Sequence, residues 1–194
     1  MSRRSQAGFT LIELIVAATV FGILSLAFGN FLVGSMTNYQ YLQAQSNAAA
    51  DITNLIGRVS RVVRGSTDVV DAQANTLTVY AYFSPQDAIV KKVRYFVSGT
   101  TLNVGVTPPT GTAPNYTYDS ANETVTVIAK DLVMGSTPVF TYYDDNGTTL
   151  SATPNLSDIR QIGVAVIMNP DVKRLKTPLS NQTIVSLRNK KTNL

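Results

Sequence analysis

The sequence predicts an α+β protein in which a long, hydrophobic N-terminal α-helix packs on an antiparallel β-sheet domain. Three observations support this fold class. One apolar segment near the N-terminus is nearly free of charge, and the next segment has apolar residues at helical spacing. The remainder, after Gly65, consists of short alternating runs separated by turn residues. With 194 residues, the chain has room for one domain, or for one domain on a stalk.

Composition excludes most enzyme classes. The chain contains neither Cys nor His, so it has no thiolate metal ligand, no disulfide, no Cys nucleophile and no imidazole base. We therefore expect a protein that is not an enzyme and that carries no metal and no cofactor. The net charge of +4 is too small to indicate nucleic-acid binding by itself.

The first element is predicted to span a membrane. No Asp, Glu, Lys or Arg occurs from Leu14 to Ala50, and Leu14–Val33 is overwhelmingly apolar. Twenty helical residues rise about 30 Å, the thickness of the hydrocarbon core of a bilayer. Because Arg3 and Arg4 precede the apolar run, the N-terminus is expected in the cytoplasm. A signal peptide fits poorly, since no small-residue cleavage site follows, and a plain anchor does not explain the acidic Glu13.

A short pattern surrounds Glu13. A basic leader ends at Gly8, Phe9 follows, and Glu13 is the fifth residue after Gly8, with Thr-Leu-Ile before it. This order resembles the N-terminal signature of type IV prepilins, which supply type IV pili, type II secretion pseudopili and competence pili. The resemblance implies that a prepilin peptidase cuts between Gly8 and Phe9, and that Phe9 is then N-methylated. Gly8 suits the cut because it has no Cβ to obstruct the protease.

The resemblance also implies a role for Glu13. Cutting creates a cationic α-amino group on Phe9, and family members are thought to pair that group with the Glu of a neighbouring subunit. Two charges that are costly in lipid then form a neutral pair, so that Glu13 serves assembly rather than catalysis. An intrachain pair between Glu13 and the amine of its own Phe9 is the alternative, which four-residue helical spacing permits.

The chain is expected to have four parts. From Met36 to Val63 apolar residues recur at three-to-four spacing, which predicts an amphipathic continuation of the apolar helix. Because no Pro occurs before Pro85, one helix from Phe9 to about Val63 is predicted. The parts are a leader peptide at residues 1–8, a transmembrane and assembly helix at 9–35, an amphipathic stalk helix at 36–64 and a β domain at 65–194.

Seven strands are predicted in the β domain, and with no second helical pattern they are expected to form an antiparallel sheet on the outer half of the stalk. Ser98–Thr101 and Asp145–Gly147 are predicted turns, and Thr107–Ala121, rich in Thr, Pro and Gly, a predicted loop. The strands are Leu77–Phe83, Lys92–Val97, Leu102–Val106, Thr124–Ile128, Val139–Tyr143, Ile162–Met168 and Thr183–Leu187.

The last third carries a second resemblance. Phe140–Gly147, then Ile159–Ile167, then a strand ending in Leu187-Arg188-Asn189 are similar to W-type minor pilins and J-type minor pseudopilins. The missing Pro in the apolar span and the missing Cys depart from typical major pilins, although a major pilin stays an alternative. The resemblance implies a tip or priming complex in a surface filament or periplasmic pseudopilus. Its implied partners are other pilin subunits, the prepilin peptidase, the inner-membrane assembly platform and, before assembly, membrane lipid.

Two sets of basic residues have alternative roles. Arg58, Arg61 and Arg64 lie near one face at the C-terminal end of the helix. There they either interact favourably with the helix dipole and solvent or contact a neighbouring subunit or DNA. The C-terminal set, with no acid after Asp171, is either a solvated face or a surface for DNA or an acidic cell surface. The latter use would make the protein a pilus-borne binding module. This set comprises Lys173, Arg174, Lys176, Arg188, Lys190 and Lys191.

Two acidic groups have weaker functional interpretations. Asp144, Asp145 and Asn146 suit either a type I′ hairpin turn or oxygen ligands for calcium, but no bidentate Glu follows at the spacing of a calcium loop. Some enzymes use a pair of carboxylates for catalysis, and Asp144 with Asp158 is a candidate pair. Nothing in the spacing of these two residues supports such a role.

Overall fold

A computed structural model of the protein describes residues 8–175 and 177–188. The chain divides into two compact units, with the boundary between Gln43 and Ala44. Helix α1 (Leu11–Arg64) begins in the first unit and ends in the second. The predicted helix, from Phe9 to about Val63, is confirmed to within two residues at each end.

In the first unit, no described residue of α1 is buried. Every side chain from Gly8 to Gln40 is exposed, including Phe21, Leu26 and Phe28. By its length and composition the helix is able to cross a membrane, since its most apolar 18-residue window has a mean hydropathy of 2.4.

Within the described ranges, the second unit contains the last turns of α1 and ten strands in three antiparallel sheets. The sheets have the strand orders β1-β2-β3-β4-β7, β10-β9-β8 and β5-β6. The strands are β1 (Asp68–Ala72), β2 (Thr76–Ala81), β3 (Lys91–Ser98), β4 (Thr101–Thr107), β5 (Thr110–Thr112), β6 (Asn115–Thr117), β7 (Thr124–Ala129), β8 (Phe140–Tyr143), β9 (Gln161–Met168) and β10 (Leu179–Ser186).

The α+β fold class and all seven predicted strands are confirmed, with shifted ends. Three strands were not predicted, namely β1, β5 and β6. The prediction of one loop over Thr107–Ala121 is wrong, because the β5–β6 hairpin and the start of a 3₁₀ turn (Ser120–Asn122) lie within it. The turn at Ser98–Thr101 is confirmed, since these residues pair across it and Gly99 takes a positive φ of 58°.

The hydrophobic core of the second unit is formed by apolar residues at helical spacing in α1 and by alternating apolar residues in the strands. Ile52, Val59 and Val63 recur along one side of α1, and Leu77 and Val79 alternate along β2. All five are at most 2% exposed and belong to one cluster with residues of β3, β4, β8 and β9. Burial of this apolar surface stabilises the unit, because each side chain leaves water for a close-packed environment.

The five-stranded sheet carries an ion pair on the face opposite this core. The Nε–H and Nη2–H groups of Arg94 donate to Oε1 and Oε2 of Glu123 at 2.9 and 2.6 Å, and the guanidinium lies 4.1 Å from the ring centre of Phe96. These hydrogen bonds stabilise the charged carboxylate and hold the pKa of Glu123 below its usual range. Gly105, opposite Arg94 in β4, leaves room for that carboxylate, which a Cβ would overlap.

Candidate functional site

Glu13 forms the N-terminal cap of α1 together with Thr10. The backbone N–H and the Oγ1 hydroxyl of Thr10 both donate to Oε2 of Glu13 at 2.9 Å. In return, the backbone N–H of Glu13 donates to Oγ1 of Thr10 at 3.4 Å. This is a capping box, in which a Thr and a Glu three residues later satisfy N–H groups that the first turn leaves unpaired.

The predicted cut lies just before this cap. Gly8 and Phe9 precede the helix, and Phe9 is 83% exposed. A Cβ placed on Gly8 would meet no described atom within 4 Å. The described part of the chain therefore leaves the peptide bond between Gly8 and Phe9 open to a protease.

The predicted ion pair of Glu13 with a Phe9 amine stays a prediction. In the uncut chain the nitrogen of Phe9 is part of the peptide bond to Gly8 and carries no charge. The capping role of Glu13 was not predicted, although Thr10-Leu-Ile-Glu13 is itself the sequence signature of a capping box. Among the described residues, Oε1 of Glu13 accepts no hydrogen bond, so this oxygen is available to a further donor.

The described residues of the predicted C-terminal basic set have different surroundings. Lys173 is exposed, and Arg174 donates to the carboxylate of Asp171 at 3.0 Å. Arg188 is exposed just after β10. Lys176, Lys190 and Lys191 lie outside the described residues.

Arg188 instead shares an open groove of about 670 Å³ with Arg61 and Arg64 of α1. Polar side chains of β10 form part of its wall, and no Asp or Glu in the described ranges lines it. Sequence reasoning placed these arginines in two unrelated sets. Only the tertiary fold brings residues so far apart in the chain to one groove.

The Asp144–Gly147 segment forms a turn that uses the Asp144 carboxylate. Its Oδ1 accepts hydrogen bonds from the backbone N–H groups of Asn146 and Thr148 at 2.9 and 2.8 Å. The predicted turn is confirmed, since Tyr143 and Thr149 pair across it. Its predicted type I′ is wrong, because that type needs two residues with positive φ and within the described turn only Gly147 has one, of 77°. Asp158 lies in a separate turn, where it accepts a hydrogen bond from Ser157.

Comparison with known families agrees with the N-terminal pattern. The family model of the prokaryotic N-terminal methylation motif matches residues 3–29, which include Gly8, Phe9 and Glu13. The chain matches no curated protein sequence. The motif supports a type IV pilin-like prepilin, which implies processing by a prepilin peptidase and assembly with other pilin subunits. Together with the apolar helix, it fits a pilin-like protein anchored in the inner membrane.

Proposed function

We propose that the protein is a structural subunit, minor rather than major, of a type IV pilus or of a type II secretion or competence pseudopilus. The observation that carries this proposal is the methylation motif at residues 3–29, at the start of a helix with exposed apolar side chains. Such a surface is stable only where lipid or other helices cover it. In a helix that moves from a membrane into a filament core, lipid covers this surface first and other helices cover it afterwards.

The proposed sequence of events follows from the residues at the start of α1. The chain enters the membrane with its N-terminus in the cytoplasm and with residues 36–194 on the other side. A prepilin peptidase cuts between Gly8 and Phe9, Phe9 is N-methylated, and its charged amine meets Glu13 of a neighbouring subunit. Because Thr10 uses only Oε2 of Glu13, Oε1 is able to accept the new hydrogen bond while the helix cap stays intact.

The assignment to a minor, tip-forming subunit rests on finer features. The apolar span lacks Pro, the chain lacks Cys, and Leu187 and Arg188 follow the last strand with Asn189 after them. These features support similarity to W-type minor pilins and J-type minor pseudopilins. Its proposed partners are other minor subunits and the inner-membrane assembly platform, and its destination is a surface filament or a periplasmic pseudopilus.

Mass spectrometry of sheared filaments tests this proposal. We expect a peptide that begins with methylated Phe9, at a small fraction of the major subunit. Loss of the Glu13 charge in Glu13→Gln should lower incorporation at least about tenfold, because an unpaired amine in an apolar contact is costly. Asp51→Asn, which removes an exposed acid from the same helix, is the matched control. An intact leader found only in the membrane would contradict the proposal, and a dominant amount would make the protein a major pilin.

A second candidate function is binding of an anionic polymer such as DNA by the filament. The groove of Arg61, Arg64 and Arg188 favours it, because three guanidinium groups line it without a described acid. Retention of the full chain on immobilised DNA should then fall steeply with salt, and the double variant Arg64→Gln/Arg188→Gln should weaken it. Equal retention of the variant and the parent protein would exclude this function.

A further inference from the structure

A groove in the second unit runs between α1 and β7. Two adjoining cavities of about 360 and 390 Å³ share Leu55 and Arg58 of the helix and Ile128 of the strand. The two cavities therefore adjoin along the last turns of α1. Together we call them the α1–β7 groove.

One wall of the groove is an open strand edge. β7 is the last strand of the five-stranded sheet, and within the described ranges its backbone forms no hydrogen bond apart from its pairing with β4. The strand, Thr-Val-Thr-Val-Ile-Ala, has no charge and no Pro, and Val125 and Val127 are 50% and 46% exposed. Edges without a charge or a Pro readily pair with another strand.

The floor of the groove is apolar and includes the ring of one tyrosine. Val59, Val62 and Val104 line it, together with Tyr95 from the centre of the sheet. Tyr95 is only 2% exposed, and among the described residues its hydroxyl forms no hydrogen bond. Burial raises its pKa, so the phenol stays neutral and is able to donate. Because Tyr95 lines the cavity, its hydroxyl group is able to donate to an acceptor of a binding partner there.

The charge of the groove indicates the chemistry of that partner. Arg58 and Arg61 line the end near Tyr95, and no described carboxylate lies within 4 Å of either guanidinium group. Asp51 and Asp131 line the opposite end, where Lys130 is also present. The end near Tyr95 is therefore cationic, and it suits a partner with a carboxylate beside an apolar side chain.

We propose that the α1–β7 groove binds an extended, acidic segment of another protein. The backbone of that segment adds a strand to the sheet at β7, which a small amphiphile is unable to do. An apolar side chain of the segment fills the cavity above Val59 and Tyr95. A neighbouring carboxylate binds Arg58 and Arg61. This inference rests on the second unit alone and does not depend on the proposed assembly role of Glu13.

The test measures peptide binding to the full chain in nanodiscs of zwitterionic lipid. The probe is a fluorescent eight-residue peptide that alternates Val with Glu and has Phe at its centre. One control peptide has Lys in place of Glu. Two others keep Glu and Phe but carry N-methyl groups on alternate backbone amides, in both registers, so that one of them blocks strand pairing. We expect the acidic peptide to bind at least about tenfold more tightly than the Lys peptide and one of the methylated peptides.

Variants of exposed residues locate the binding without disturbing the core. The double variant Arg58→Gln/Arg61→Gln should weaken binding of the acidic peptide at least about tenfold. Val127→Lys, which places a charge on the free edge, should abolish binding. Arg64→Gln is the matched control, because it removes an arginine from the same helix end but not from this groove. Circular dichroism of each variant verifies that the fold is retained.

Three outcomes would overturn the inference. They are the lack of saturable binding up to millimolar peptide, equal affinities for the acidic and Lys peptides, and an effect of Arg64→Gln as large as that of the double variant. Filament incorporation that depends on Glu13, found together with any of these outcomes, would leave the proposed function intact and remove only the groove proposal.

Discussion

The two halves of α1 are both rich in apolar residues, but they differ in what covers those residues. In the first unit Phe21 and Phe28 are 73% and 62% exposed. In the second unit Ile52 and Val59 are 2% and 1% exposed, because strands of the same chain cover them. A single continuous helix thus contains one half that the chain stabilises and one half that depends on its surroundings.

Because of this difference, the two halves of α1 contribute to different processes, one to folding and the other to association. Burial of a large apolar side chain contributes about 1.5–3 kcal/mol. In the second unit that free energy is already used for folding. In the first unit it is available for insertion into lipid or for packing against other helices, which is what a subunit of a membrane-derived filament requires.

The sharpest test of this comparison replaces one Phe in each unit by Ala. Phe140→Ala removes a side chain that is 1% exposed in the core, and it should lower the free energy of unfolding of the second unit by about 3–5 kcal/mol. Phe21→Ala, at an exposed position, should change the same quantity by less than about 0.5 kcal/mol. Urea denaturation of the full chain in detergent, followed by tyrosine fluorescence, measures both. Equal effects would contradict the separation of the two units.

A second prediction concerns pH and the ion pair of the second unit. Since the folded-state pKa of Glu123 is lowered, its contribution to stability is complete above the unfolded-state pKa and is lost as the pH falls through the folded-state pKa. Glu123→Gln should cost about 1 kcal/mol at neutral pH, a modest value because the Arg94 side chain is 36% exposed. The variant should also lose less stability than the parent between neutral and acidic pH. Unfolding curves at several pH values measure this, and parallel pH profiles would count against the pair.

Gly105→Ala provides an independent check on the same pair. The added methyl group displaces the Glu123 carboxylate, so this variant should reproduce the loss seen with Glu123→Gln. The two changes should not add, because each removes the same interaction. Full additivity in the double variant would show that Gly105 has a different role.

The smallest predicted effect compares two glycines of α1. Gly57→Ala is expected to stabilise the second unit by about 0.5 kcal/mol, because Gly57 is exposed in a helix and, apart from its chain neighbours and the nearby backbone of α1, no described atom lies within 4 Å of an added Cβ. Gly22→Ala, with equally open space, should leave the unfolding of the second unit unchanged. Thermal melts of both variants measure the difference. A similar rise for Gly22→Ala would mean that the two halves unfold together.

Local periodicity explains which elements the sequence predicted. The helical spacing along α1 and the alternation of Leu77 with Val79 in β2 are properties of neighbouring residues. β1 was missed because two of its five residues are Asp, which is rare in strands. The polar start of β10 was missed because Ser180 and Gln182 are held there by pairing with β9, and that pairing joins distant parts of the chain.

The candidate functional residues also fall into those that local sequence patterns indicate and those that only the tertiary fold brings together. Gly8, Phe9 and Glu13 could be proposed from the sequence because the pattern is carried by their order along the chain. The grooves beside Arg58 and Arg188 were not found. Their walls come from residues far apart in sequence, and local patterns do not report such contacts.

The position of the Thr10–Glu13 cap relative to the proposed cut has a consequence for maturation. Every atom of the capping box lies on the C-terminal side of the bond between Gly8 and Phe9. The proposed removal of the leader would therefore leave all hydrogen bonds of this cap in place, and precursor and product should share the capped start of α1. The proposed cut would then change the charge at the chain terminus without refolding of the cap. We therefore expect that a mature protein formed by this cut needs no rearrangement of the helix start before it associates.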